Sequence, residues 1–184
     1  MHTYSHAVFT WALVRYLKRD ESHAAVWSAA GAALPDVPTL AKAARLLWRR
    51  RGSMDKEEFK EEWLEALEYY KEPSGKVDLT LHSLAPVGAL IALYKVLGLK
   101  HKDPHGALIS FLLGWAGHNL LDFPTHAGDA RPPLWPLSRW RFKSPISYWD
   151  RKFYALPCLI VEHGAILTLA LALLYESYQD TPQS

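Results

Sequence analysis

Gly114-Trp115-Ala116-Gly117-His118-Asn119-Leu120-Leu121-Asp122-Phe123-Pro124-Thr125-His126 sets two imidazoles and a carboxylate at intervals of four residues inside an otherwise apolar segment. On a helix, positions i and i+4 lie on one face, so His118 and Asp122 present their side chains to the same point in space. An ionised carboxylate among Leu120, Leu121 and Phe123 is costly to bury unless a cation or a hydrogen-bond donor meets it. The stretch therefore predicts a buried helix that offers a divalent metal two ligands. The alternative at this point is a plain hydrogen bond from His118 or a backbone amide to Asp122.

Outward from this helix, the chain reads as helix after helix. Val8, Phe9, Ala12, Leu13 and Tyr16 recur at helical spacing and predict a first helix over 4–18. Ser22 is the N-cap of a second, which ends near Leu34 because Pro35 disfavours helical geometry in the residue before it. Asp36 then lies in a Pro-Asp-Val-Pro turn, and Pro38 opens a third helix that Gly52 stops. A charged amphipathic fourth helix over 53–70 carries Phe59, Trp63, Leu64 and Leu67 on one stripe. The turn Glu72-Pro73-Ser74-Gly75 precedes a fifth helix, with Asp78 as N-cap, His82 in its first turns and Gly98 at its end. Asp103-Pro104 starts the helix that delivers His118 and Asp122, and a last, nearly all-apolar helix covers 156–178 around Glu162 and His163.

Five prolines between Pro124 and Pro145 forbid regular helix there. Trp135, Trp140, Phe142, Tyr148 and Trp149 are too many large rings to leave in water, so residues 124–149 are expected to form an ordered aromatic loop covering the site. No alternating strand pattern or internal repeat occurs. The expected architecture is all-α: one domain over 1–184, a bundle of about six or seven helices with that long Pro/Trp-rich loop.

Composition narrows the chemistry. The chain has 184 residues, 49% hydrophobic and 22% charged, with 21 basic against 19 acidic residues, so its net charge of +2 gives no reason to expect a nucleic-acid partner. Cys158 stands alone, which excludes an internal disulfide and any thiolate zinc cage, so a metal here must use nitrogen and oxygen ligands. Nine histidines are available. No secretory signal pattern opens the sequence. Residues 104–121, 79–94 and 164–175 lack Asp, Glu, Lys and Arg, but these runs sit at or below the ~18 to 20 residues a membrane span needs. With a mean hydropathy of -0.11, the expectation is a cytoplasmic protein or one peripheral to the cytoplasmic membrane, with an integral one as the alternative.

His6, Asp36, His82, His118, Asp122 and His126 each lie on an apolar helix or at a helix boundary. Singly, each is explained by a hydrogen bond to a carbonyl or by helix capping. Together they are the donor set of a hydrolase with more than one zinc ion. The pieces Thr3-Tyr4-Ser5-His6-Ala7, Leu34-Pro35-Asp36-Val37-Pro38, Leu81-His82-Ser83, Gly117-His118-Asn119-Leu120-Leu121-Asp122, Leu134-Trp135-Pro136-Leu137-Ser138 and Trp140-Arg141-Phe142 resemble those of the YdjM-like, membrane-associated metal-dependent hydrolases. These in turn are similar to the zinc-dependent phospholipase C and P1 nuclease superfamily.

The resemblance implies an all-helical fold in which His6, Asp36, His82, His118 and Asp122 bind one or two zinc ions or another divalent metal, Asp122 is shared between ions, and His126 adds a further ligand. His118 and Asp122 form its catalytic centre. Two family features have no clean counterpart: Glu162-His163 are adjacent where a pair spaced by four is expected, and the metal-binding N-terminal amino group is missing. Arg131 and Arg141 are candidate phosphate clamps, and Asp129, Glu162 and His163 are candidates to orient the ligands or add to them. The expected function is hydrolysis of a small-molecule or lipid phosphoester by a metal-activated water. Two other readings stand beside it: a non-catalytic, metal-stabilised module that binds a membrane or a partner, and a metal-free polar network.

Overall fold

Residues 1–17, 22–49 and 73–179 are described by this computed structural model, and they hold the helices α1 (Thr3–Leu17), α2 (Ser22–Ala33), α3 (Val37–Arg49), α4 (Pro73–Leu81), α5 (Leu84–Val96), α6 (Ala107–Asp122) and α7 (Ala155–Gln179). No strand occurs among them. The all-α expectation holds; the helix expected over 53–70 lies outside the described residues.

Small side chains decide how the bundle assembles. α2 is built largely of Ala, Ser and Gly, and it packs between α1 and α6. At its crossing with α6 the backbones touch: a Cβ on Gly31 would lie 1.9 Å from the Phe111 carbonyl oxygen, and one on Gly114 would lie 1.9 Å from that of Ser28. Only glycine fits at both positions. This approach brings His118 Nδ1 within 2.7 Å of the Ala32 carbonyl, which fixes the ring.

The long fifth helix expected from Asp78 to Gly98 is two helices. Helix α4 already begins at Pro73, a residue suited to a first turn, so Asp78 lies inside it rather than capping it. The chain breaks at His82, Ser83 accepts from the Ala85 amide as the N-cap of α5, and Pro86 occupies the first turn of the new helix. The carbonyls freed at this break are met from α6, by Trp115 Nε1 on Leu81 and Asn119 Nδ2 on Leu81 and Ser83. Val87, Tyr94, Leu112 and Trp115 form the apolar contact between α5 and α6.

Residues 123–150 run without regular helix back over the ends of α4 and α6. Their order comes from backbone bonds, including Leu84 N to Pro133 O (2.8 Å), Ser144 N to His126 O (3.0 Å) and Tyr148 N to Thr125 O (3.3 Å). Several rings of this loop stay open: Trp140 is 58% exposed, and Phe142 and Trp149 are 38% exposed each.

The distribution of polarity is inverted relative to a water-soluble domain. His6, His118 and Asp78 are among the largest fully buried side chains, and the buried apolar residues are mostly alanines. Leu, Val, Trp and Tyr meanwhile project from α1, α2, α5, α6 and α7. Buried polar groups with a large exposed apolar surface are what a membrane setting selects.

Candidate metal centre

Four separate stretches deliver one cluster. His6 comes from α1, where it is fully buried, and Asp36 from the 3-10 turn Leu34–Asp36 between α2 and α3. His82 comes from the α4–α5 break, and His118 and Asp122 from one face of α6. His126 follows one turn later. The Asp122 carboxylate spreads its two oxygens: Oδ1 lies 2.9 Å from His6 Nε2, and Oδ2 lies 3.2 Å from His118 Nε2 and 3.1 Å from His126 Nε2. Asp36 Oδ1 lies 3.3 Å from His82 Nε2 and 3.8 Å from His118 Nε2. The His6 and His118 rings stack at 3.9 Å.

The far nitrogens of three of these rings are engaged outward. Nδ1 of His118 bonds to the Ala32 carbonyl, Nδ1 of His82 to the Asp78 carbonyl at 3.0 Å, and Nδ1 of His126 to the Asp129 carboxylate at 2.6 Å. Donation from Nδ1 fixes the neutral tautomer and leaves the Nε2 lone pair pointing into the cluster, the arrangement that metal-ligating histidines adopt. His118 Nε2 and His6 Nδ1 are buried without a hydrogen-bond partner, an expensive condition for polar atoms. His118 Nε2 lies close to two carboxylates yet is aligned to hydrogen-bond with neither, which is how ligands of a common cation sit.

Two overlapping trios place one donor atom each within 4.8 Å of one another: His6, His118 and Asp122, and Asp36, His82 and His118. The residue common to both is His118, whose single Nε2 lone pair serves one ion at a time. Asp122 belongs to only one of the two trios, with Oδ1 toward His6 and Oδ2 toward His118 and His126. These residues fit zinc or a similar borderline ion by donor type.

The electrostatics agree. Burial acts to raise the Asp122 carboxyl, but the imidazoles of His126, His118 and His6 outweigh it and hold it well below the ordinary carboxylate range. Asp36 is also held low, against burial, by His82, His118 and the Thr3 hydroxyl 2.6 Å away. Burial pushes His6 down, toward the neutral form a metal requires. Burial acts the same way on His126, but Asp122 and Asp129 win and raise it.

The other expected residues divide. Asp129 orients His126 and also accepts from Trp149 Nε1. Arg131 bonds through Nε to Asp78 at 3.0 Å and lines a cleft of about 30 Å³ beside His82, Asp122 and His126, walled by the stacked rings of Phe123 and Phe142. Arg141 is exposed and does not line that cleft. Glu162 meets His2 instead of a cluster histidine, at 2.8 Å to the backbone amide and 3.1 Å to Nδ1. His163 bonds to the Tyr4 hydroxyl at the surface. The amino group of Met1, expected to have no counterpart at the site, lies 3.4 Å from Asp122 Oδ1.

Three participants were not anticipated. Asp78, read as a cap, is 1% exposed and holds His82, Thr39 and Arg131. Its i,i+4 spacing to His82 is the same signal that His118 and Asp122 give. Thr3 donates to Asp36. Tyr148 packs its ring edge-on against His126 at 5.2 Å, and burial with the nearby Asp122, Asp36 and Asp129 carboxylates raises its phenol, so it stays protonated.

A family model described as YdjM inner membrane protein matches residues 1–180. The chain belongs to the YdjM inner membrane protein family. No curated protein and no solved structure matches it. Membership makes this chain membrane-associated, in keeping with the apolar exterior of its helices. Among the described residues α7 is long and apolar enough to cross a bilayer by itself, and residues 75–81 and 84–96 pass the same test together but are bent by 56°.

Proposed function

We propose that this YdjM-family chain is a metal-dependent hydrolase of a phosphoester, using zinc, with α7 embedded in the bilayer. The observation that carries the reading is the convergence of four Nε2 atoms on two carboxylates, Asp122 buried and Asp36 half-buried, with three of the four rings pinned from behind. Asp36, His82, His118, Asp122, His6 and His126 would hold one or two ions. When bound, the metal lowers the pKa of a water toward ~7 and neutralises charge developing on the phosphoryl oxygens. Asp129, the Asp78 carbonyl and the Ala32 carbonyl keep His126, His82 and His118 in the metal-binding tautomer. Arg131, steered by Asp78, lies where a phosphoryl oxygen would enter the cleft, and Phe123 and Phe142 exclude bulk water. Zinc and the phosphoester class draw their support from the similarity of the ligand set to that of zinc-dependent phospholipase C and P1 nuclease.

A second reading, a metal-stabilised but non-catalytic membrane protein, is favoured by the small size of the cleft, which has room for little more than water. Elemental analysis of the purified chain and turnover of a soluble bis-aryl phosphodiester, with and without chelator, separate the two. We expect about one or two zinc ions per chain and chelator-sensitive turnover. Bound metal with no turnover of any phosphoester favours the second reading, and absence of metal at saturating zinc sinks both.

A further inference from the structure

Beside the same cluster, a cavity of about 560 Å³ runs between α1, the loop and the first half of α7. Its walls are mostly apolar, among them Phe9, Ile146, Pro157, Cys158 and Val161, and they include the Glu162 carboxylate, which is held by His2. At one end stand Met1, Thr125 and Tyr148, and these residues also touch the cluster. The Met1 amine is 3.4 Å from Asp122 Oδ1, Thr125 lies one turn after Asp122, and the Tyr148 ring packs on His126. The other side is continuous with the outward face of α7, where Val161 is 71% exposed and Ile160 63%. An apolar groove of this volume is of the size that takes a small ligand. Its polar end abuts a metal centre and its flank belongs to a helix suited to lipid, so its occupant must be an amphiphile reaching the site from the membrane.

We infer that the groove seats a hydrocarbon chain of a membrane lipid whose phosphoester lies at the His/Asp centre. This rests on the phosphoester reading and adds to it the substrate class and the route of entry. The chain slides in along α7 between Val161 and Ala165 while the headgroup passes Tyr148 and Thr125. The Tyr148 and Thr125 hydroxyls can donate to headgroup oxygens. The lipid need not leave the bilayer for its ester bond to reach Asp122.

Cys158, the chain's sole cysteine and half-buried in the groove wall, reports on occupancy. The test takes the full-length, zinc-loaded chain in a bile salt, which has no alkyl chain of its own. It measures the rate of Cys158 modification by a maleimide in the presence of alkyl phosphates from ethyl to dodecyl, with inorganic phosphate binding followed separately by calorimetry. Half-protection should tighten by about fourfold per added methylene until the groove is full. Dodecyl phosphate should slow labelling at least about tenfold, and Ala165→Trp should abolish the chain-length dependence.

Equal protection by ethyl and dodecyl phosphate would overturn the groove assignment and leave the phosphoester reading intact. Protection that rises with protein concentration and not with chain length would put a second copy over the groove, and also overturns it. Chain-length dependence without any binding of inorganic phosphate would sink the phosphoester reading, and with it the headgroup half of this proposal.

Discussion

Helices α6 and α7 are alike in sequence character and opposite in fate. Each carries a long run without a formal charge, and each would be taken for a core or membrane helix on hydropathy alone. Yet α6 buries Ser110, Leu112, Gly114, Trp115, His118, Asn119 and Asp122, while α7 buries only Ala155 and Glu162 and shows leucines all round. The difference lies in which residues can make contacts that lipid cannot replace. Gly114 lets a neighbouring backbone come within touching distance, and Asn119, His118 and Asp122 need polar partners that only the bundle interior supplies. Leu167, Leu171 and Leu174 need nothing but an apolar medium.

The largest test of that difference is a pair of glycine substitutions. Gly114→Ala drives a Cβ into the Ser28 carbonyl, a backbone atom that cannot rotate away, so α2 and α6 must separate. We expect a loss of at least about 3 kcal/mol in thermal or denaturant unfolding, enough to scatter the His/Asp cluster as well. Gly164→Ala on α7 meets nothing within 4 Å and should be neutral or gain up to about 1 kcal/mol from helix propensity. Similar melting curves for the two variants would mean the glycine crossing does not hold the site.

Carboxylates give the next contrast. Asp122→Asn removes the one group in contact with three of the imidazoles. Metal affinity, measured by competition with a chromogenic chelator, should fall by more than the 10–100-fold typical of losing a ligand's hydrogen-bond partner. Glu162→Gln on α7 and His101→Ala on the surface should leave metal content unchanged, because neither touches the cluster. A matching loss for Glu162→Gln would show that the two helices share the site after all. Between these extremes stands Asp129→Asn, which keeps the shape but weakens the bond to His126 Nδ1. It should cost roughly 10- to 100-fold in metal affinity, read by the same competition.

The sequence made the His118/Asp122/His126 ladder plain because it depends on helical period alone, and the buried α6 followed from it. His6, Asp36 and His82 sit 112, 82 and 36 residues before His118, so no local pattern joins them, and only the combined motifs pointed to convergence. Asp78 was misread because a carboxylate after a Pro/Gly stretch looks like a cap, although its spacing to His82 and the Pro86 that ends any continuous helix were both visible. Tyr148 escaped because its meeting with His126 depends on how the proline-rich loop folds back, which long-range backbone bonds decide. The rings of that loop were expected to be covered. Trp140, Phe142 and Trp149 stay partly open instead, while Trp135 and Tyr148 are half-buried.

The smallest expected effect concerns how α6 begins. Asp103 precedes the helix and accepts from the Leu108 and Ile109 amides at 3.2 Å and from the Tyr94 hydroxyl, whereas at α7 the nearest acidic residue, Asp150, caps only the short turn Arg151–Phe153. Slight burial acts to raise the Asp103 carboxyl, but the amides of Ile109 and Leu108 and the Tyr94 hydroxyl lower it overall. A carboxyl whose folded pKa is depressed contributes stability that is complete above its unfolded value of about 3.9 and is lost as pH falls through the folded value. Asp103→Ala should therefore cost about 1 kcal/mol near neutral pH, the usual worth of an N-cap, and Asp103→Asn less. The gap between wild type and Asp103→Asn should stay constant above about pH 5, narrow as pH falls past the unfolded value, and close only below the folded value, where the protonated acid and the amide become equivalent. Asp150→Asn should cost less than Asp103→Ala near neutral pH, since the turn it caps anchors α7 without ordering the site. A gap for Asp103 that widened in acid would mean that this carboxylate is a burden to the start of α6 and not its cap.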